Sequence, residues 1–353
     1  MMASNTRRFL LVTDAWQPQV NGVVRTWGHV LRELAALGIE TEVVHPSTFR
    51  TVAAPKYPEI RLALCTPRAV GRRIEAFDPD YVHIATEGPL GLCARHWCLA
   101  RGLSFTTSYH TQFPLYLKQY FAIPPGITYR LMKWFHGAAE ATLAPTPGVM
   151  RELRSHGITR AQEWCRGVDT TQFRPLAPAL PDLPKPIFLY AGRVAVEKNI
   201  EAFLRCDLPG TKVVVGDGPE RKRLERRYAG VHWAGYRFGD DLAAHYSSAD
   251  AFVFPSRTDT FGIVMLEANA CGLPIAAYPV TGPIDVVKPG INGALDEDLA
   301  TAAMRALDVP RASCIEHARS LDWRHCAQVV LDHVAPVRPM MCPVVTSLGG
   351  VLR

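Results

Sequence analysis

Two acids stand out in "SRTDTFGIVMLEANACG", residues 256–272: Asp259 and Glu267, with seven residues between them. The segment is otherwise mostly apolar, as a buried element should be. "ADAFVFPS" before it has strand character, and "GIVMLEANACG" has helical spacing that ends at Gly272. Asp259 is therefore expected at the start of a helix, with Glu267 about two turns in. Both could reach one ligand lying across the helix start, whose N–H groups could meet phosphates. A carboxylate also suits the vicinal hydroxyls of a sugar. The plainer alternative is a capping Asp and a solvated Glu.

A second candidate is "YAGRVAVEKNIEAFL", where a strand ends at Gly192 and Arg193 and Lys198 precede a helix. Two cations at a strand-to-helix turn can clamp a diphosphate, Arg as a fork and Lys as a point charge. They could equally be solvated charges, one neutralised by Glu197. In "QPQVNGVVRTW", Gly22 would let an anion approach the backbone, or it is a loop glycine after a helix-capping Asn21. His110, in "SYHTQF", falls near a predicted sheet end; a satisfied, buried histidine is the ordinary case.

Other motifs fail on inspection. Gly216-x-Gly218 lacks the third glycine of a dinucleotide fingerprint, since Arg221 stands there. Asp78-Pro-Asp80 resembles a metal motif but precedes a strand, at the wrong end of a sheet for a ligand. No His, Cys or carboxylate cluster has convincing metal spacing, so neither a metal nor a cofactor is expected.

These residues need a scaffold. "RFLLVTDAW", "IETEVVHP", "YVHIAT", "SFTTSYH" and "ATLAPT" read as strands, and "GVVRTWGHVLRELAALG" and "LGLCARHWCLARG" as helices. The alternation restarts after "FRPLAPALPDLPKP", whose prolines make it a connector. "IFLYAGR", "TKVVVGDG", "VHWAG", "AFVFPS" and "PIAAYPV" follow. The expectation is an α/β chain with two Rossmann-like domains, 1–175 and 176–320, facing each other across a cleft. A last helix at 321–337 is expected to pack back on the first domain, with a tail at 338–353.

The chain has 353 residues, enough for two cores, and a formal charge of +6. Residues 1–175 carry 20 Lys and Arg against 13 Asp and Glu, or +7; the remainder carries 19 against 20, or −1. That excess suggests an anionic partner for the front half, or an uneven but inert surface. Within it, "FPLYLKQYFAIPPGITYRLMKWFHG" interleaves Phe113, Tyr116, Tyr120, Phe121, Tyr129, Trp134 and Phe135 with Lys118, Arg130 and Lys133. Such a segment suits a lipid headgroup boundary, or an aromatic core with snorkelling cations. No RNA-binding motif accompanies it, and no nucleic-acid partner is expected. The nine cysteines form no CxxC pair and suit reduced thiols. Phe9–Val12 is shorter than the roughly 7–15 apolar residues of an export signal. Location in the cytoplasm, peripheral on the inner face of the cytoplasmic membrane, is expected.

Taken together, these motifs resemble the retaining glycosyltransferases of family 4, with the GT-B fold. The family's Glu-x7-Glu segment is matched by Pro255-Ser256, Phe261-Gly262, Leu266 and Glu267-Ala268. "RGVDTTQFRP", "ADAFVFPS", Gly282-Pro283 with Asp285, and Asn292-Gly293 are also similar. The resemblance implies that Arg193 and Lys198 neutralise the donor diphosphate and that Glu267 binds the ribose. It implies that Asp259, Thr260, Phe261 and Gly262 hold the sugar and diphosphate. Gly22 would present its backbone to the β-phosphate, His110 would lie beside the reacting carbon, and Trp233–Gly235 would border the base. The first acid is Asp259 where the family has Glu. The shorter acid resembles the sulfoquinovosyl-diacylglycerol synthase branch, and "YHTQFPLY" and "QPQVNGVVRT" also resemble the GDP-mannose-dependent mannosyltransferases.

The resemblance thus implies a metal-independent hexosyltransferase that retains configuration. UDP-glucose or UDP-glucuronate is the expected donor, a membrane lipid such as diacylglycerol the acceptor, and an anionic membrane surface the partner of the basic half. A GDP-mannose-dependent α-mannosyltransferase acting on a lipid or polysaccharide is the alternative. An NAD-dependent dehydrogenase also fits two α/β domains but lacks the glycine fingerprint, and a binding protein without catalysis would not need every family position filled.

Overall fold

A computed structural model describes residues 6–19, 21–54 and 57–337. The tail after 337 and the side chains of Tyr120 and Phe121 lie outside the described residues. The first half contains strands β1 (Arg8–Val12), β2 (Glu40–Val44), β3 (Arg50–Ala54), β4 (Tyr57–Leu64), β5 (Tyr81–Ile84), β6 (Thr106–Ser108), β7 (Thr142–Ala144) and β8 (Ala161–Glu163). The second contains β9 (Ile187–Ala191), β10 (Thr211–Val215), β11 (His232–Gly235), β12 (Ala251–Phe254), β13 (Ile275–Ala277) and β14 (Gly293–Leu295).

Each half is one parallel sheet with helices between successive strands. The orders are β2-β1-β5-β6-β7-β8 and β11-β10-β9-β12-β13-β14, while β3 and β4 form a separate antiparallel hairpin. Both are Rossmann-like. In each, strand order reverses beside the first strand: between β1 and β5, and between β9 and β12. Loops diverge at such a point and leave a crevice at the carboxyl ends of the strands, so ligands collect there.

The strands that form the crevices are buried on both faces, hence the unbroken apolar runs Phe9–Val12 and Ile187–Ala191. The Gly22–Ala36 helix forms because Val24, Trp27, Val30, Leu31 and Leu34 line one face. Asn21 caps it, its side-chain oxygen accepting from the N–H groups of Val23 and Val24 at 3.0 Å each. Gly38 ends it at φ +78°, a conformation that suits glycine. Trp27 is fully buried against Phe9, His83 and Trp164. Truncating such a side chain to Ala costs about 3–5 kcal/mol.

The Trp323–His333 helix packs on the Gly22–Ala36 helix of the first domain. The Trp164 indole donates to the carbonyl of Cys326 at 3.0 Å, and His29 stacks on Trp323 with ring centroids 4.8 Å apart. The aromatic segment does not have a single destination. Tyr129 and Phe135 are core, whereas Trp134 is about half exposed beside exposed Ile127 and Leu131. Asp78 ends the Pro67–Phe77 helix in a left-handed conformation, and Asp80 accepts from the backbone of Arg8, so both have local structural work. Among the described residues, no helix is long and apolar enough to cross a membrane.

Candidate active site

Lys198 and Asp259 come from the two loops that diverge at the β9/β12 switch point. Lys198 closes a single turn of 3-10 helix, Val196–Lys198, and its ammonium lies 2.5 Å from Asp259 Oδ1. Burial is the largest single influence on Lys198 and opposes its charge, but the Asp259 carboxylate together with the Tyr116 and Tyr190 hydroxyls more than offsets it, and the pKa is held above the ordinary lysine value. The other oxygen, Asp259 Oδ2, is buried with no hydrogen-bond partner among the described residues. Tyr116, from the first domain, faces the same charges; burial pushes its hydroxyl up to about 12. Asn199 ties the two loops together by donating to the carbonyl of Pro255 at 3.0 Å, as does Thr258 to that of Glu197 at 3.2 Å.

Asp259 does not begin the helix. The helix spans Ile263–Ala270, with Gly262 as its N-cap at φ +85°. Asp259 therefore lies in the preceding loop, four positions before the first helical residue, because the chain must first turn through Gly262. A Cβ there would come within 2.7 Å of the Phe254 ring. Gly282 braces the loop from behind: at φ +93°, its own Cβ would fall 2.6 Å from the carbonyl of Asp259.

The loop also touches the first domain. Thr260 Oγ1 donates to the carbonyl of His110 at 2.7 Å, bringing two expected site residues together across the cleft. His110 Nε2 accepts from the Trp27 indole N–H at 3.0 Å, with Ser108 Oγ 2.9 Å away. That places the ring proton on Nδ1, for which no described residue serves as acceptor. Burial, with Arg166, His83 and His136 nearby, holds its pKa well below the usual histidine value, so the ring is neutral.

Glu267 is almost fully buried in the second turn of its helix. Both of its oxygens are engaged: Arg25, from the first helix of the other domain, pairs with Oε1, and Tyr246 donates to Oε2 at 3.3 Å. The Glu267 charge raises the Arg25 pKa, and burial raises that of Tyr246 well above its ordinary value. Gly22 begins the helix that carries Arg25, and the added Cβ would meet nothing within 4 Å.

Arg193 lies half-buried in the turn between β9 and Lys198, where its carbonyl accepts from Tyr190 at 2.8 Å. Gly216 and Gly218 fit beneath that turn, where a Cβ would meet the carbonyls of Gly192 and Val194. They are packing glycines. Trp233 and Gly235 lie farther along the same sheet edge, on β11; the Trp233 indole N–H is buried without a partner among the described residues. Phe261 packs partly on the core of the second domain. Sequence reasoning missed Arg25, Asn199 and Tyr246, and it assigned Tyr116 to a lipid boundary or aromatic core whereas it faces Lys198 and Asp259. Arg25 had a signal, three residues after Gly22 in "NGVVRTW"; Tyr246 reaches Glu267 only through the tertiary fold. Among the described residues, no three of His, Cys, Asp or Glu converge as metal ligands.

Comparison with known proteins bears on this arrangement. Residues 20–172 match the family described as Glycosyltransferase Family 4, and residues 185–308 that described as Glycosyl transferases group 1. The chain is 34% identical to a GDP-mannose-dependent alpha-mannosyltransferase of Mycobacterium tuberculosis, over 82% of this chain and 83% of that one. It is 29% identical to the sulfoquinovosyl transferase SQD2 of Arabidopsis thaliana, over 78% of this chain and 60% of the other. The sucrose-phosphate synthase of Thermosynechococcus elongatus superposes with a TM-score of 0.77 at 20% identity, covering 92% of this chain and 98% of that one, a likeness of fold. With sequence similarity spanning both Rossmann-like domains and the cleft between them, the chain belongs to the family 4, group 1 glycosyltransferases, hexosyltransferases of the GT-B fold that use nucleotide sugars.

Proposed function

We propose that the protein transfers a hexose, with retention of anomeric configuration, from a nucleoside diphosphate sugar in the cleft to a membrane lipid. The carrying observation is the Lys198–Asp259 pair at the switch point, with Asp259 Oδ2 unpaired and the next residue, Thr260, held against His110. Lys198 and Arg193 meet the diphosphate charge that grows as the glycosidic bond breaks, which is electrostatic catalysis. Asp259 Oδ2 accepts from a sugar hydroxyl, and the Nδ1–H of neutral His110 donates to the sugar. Thr260, Phe261 and Gly262 complete the sugar and diphosphate site, and the Gly22 backbone faces the β-phosphate. Glu267 takes the ribose hydroxyls, and Trp233 and Gly235 border the base. The acceptor hydroxyl attacks from the leaving-group face; its oxygen bonds the anomeric carbon, and its proton passes to the departing phosphate. No metal or cofactor takes part, so a chelator such as EDTA leaves the rate unchanged.

Similarity to the mannosyltransferase covers most of both chains, which favours GDP-mannose as donor. The earlier expectation of UDP-glucose or UDP-glucuronate stands as the second reading, supported by the shorter acid at 259 and by similarity to SQD2. The lipid acceptor, and attachment to the inner face of the cytoplasmic membrane, rest on exposed Ile127, Leu131 and Trp134, one helix stripe beside exposed Arg130 and Lys133. Incubation with labelled GDP-mannose, UDP-glucose or UDP-glucuronate and diacylglycerol-containing vesicles tests this reading. A labelled glycolipid with the donor's anomeric configuration supports it. Inverted product overturns retention, and transfer confined to soluble sugars overturns the lipid acceptor.

A further inference from the structure

The helices Pro67–Phe77 and Pro89–Ala100 pack side by side on the first domain and leave a pocket of about 420 Å³ between them. Arg68, Arg72, His96, Trp97 and Arg101 line it. These helices contribute none of the residues assigned above to donor or acceptor chemistry. Trp97 is buried, and its ring lies so close to the backbone of Gly71 that a Cβ there would sit 2.0 Å away. The Arg101 guanidinium lies over that ring, 3.1 Å from its centroid, and 3.3 Å from Glu75. Arg101 is therefore held in place and partly neutralised. Arg68 and Arg72, both exposed and one helical turn apart, pair with no carboxylate among the described residues. The Trp97 indole N–H is buried without a hydrogen-bond partner among the described residues.

A pocket with two unpaired guanidinium groups, a third one fixed by stacking and an imidazole is rich in donors. Guanidinium forks match phosphate oxygens in geometry and charge. We propose that this pocket binds a phosphate group carried on a small polar body, separately from the donor cleft. A soluble phosphate ester and a phospholipid headgroup share that chemistry. The proposal does not depend on the donor or acceptor chosen above.

Phenylglyoxal labelling of arginines in the full chain, mapped by mass spectrometry, tests it site by site and keeps the donor cleft apart. Inorganic phosphate and glycerol 3-phosphate should each slow labelling of Arg68 and Arg72 several-fold while leaving Arg226, on a helix of the second domain, unchanged. Phosphatidylglycerol vesicles, but not phosphatidylcholine vesicles, should protect the same two positions if the source is a headgroup. Protection by the soluble anions alone assigns a free phosphate ester. In Arg72→Gln the phosphate protection of Arg68 should be lost. Equal labelling rates at Arg68 and Arg72 under every condition, or full protection of Arg68 in Arg72→Gln, overturn the proposal.

Discussion

The Arg25 guanidinium, on the first helix of the N-terminal domain, is ion-paired with the Glu267 carboxylate of the C-terminal domain. The acid expected to hold the donor ribose thus also ties the two domains together. A nearly buried carboxylate needs such a partner, because leaving it uncompensated costs several kcal/mol.

Arg25→Gln should therefore weaken closure of the cleft. Small-angle X-ray scattering of the variant without donor should give a larger radius of gyration than the wild type. Superimposable profiles would show that the pair does not hold the domains.

Lys198→Ala should reduce kcat by about 10²–10³-fold, the scale of losing one main charge stabiliser at a reacting centre. Circular dichroism should be unchanged. Turnover within a few-fold of wild type would remove Lys198 from the reaction.

Gly282→Ala should destabilise the protein by about 1–3 kcal/mol, since the new methyl meets the Asp259 carbonyl in a backbone conformation that disfavours alanine. Donor affinity should fall with it as the Asp259 loop is displaced. Urea unfolding and donor titration read the two effects, and unchanged values in both would refute the bracing role.

Acid should destabilise the fold before the carboxylates titrate. Burial holds His83 at about 3, burial and Arg32 hold His29 at about 4, and His110 is also well below 6.5. The unfolded chain takes up these protons near pH 6.5, while the folded chain does not. Stability is therefore lost as pH falls below 6.5, by up to ~1.4 kcal/mol per pH unit for each such group, until its folded pKa is reached. Tm measured from about pH 7 to about pH 5 should fall. His83→Gln should flatten the slope, and an equal slope in that variant would exclude His83 as a contributor.

The two-domain α/β plan was legible because parallel-sheet strands buried on both faces are continuous apolar runs, and the helices between them repeat at three and four residues. The Gly22–Ala36 helix, its Asn21 cap and its stop at Gly38 are local and could be read directly. Arg193, Lys198 and Asp259 could be selected because strand-to-helix turns at one sheet edge are where charges can meet a ligand. The hairpin of β3 and β4 has no comparably strong pattern. The aromatic segment was ambiguous for a related reason: Tyr129 turns inward and Trp134 outward on one helix, and composition does not state the facing.

By itself the sequence determined the fold class and which charged groups stand at strand ends, since these follow from local periodicity. Tertiary structure alone decided the pairings. Lys198 finds Asp259 across a switch point, Thr260 finds His110 across the cleft, and Glu267 is shared between Arg25 and Tyr246. These partners are far apart in the chain; the Lys198–Asp259 and Glu267–Tyr246 contacts form only when the second domain folds, and the Thr260–His110 and Glu267–Arg25 contacts only when the two domains meet, so local backbone preference encodes none of them.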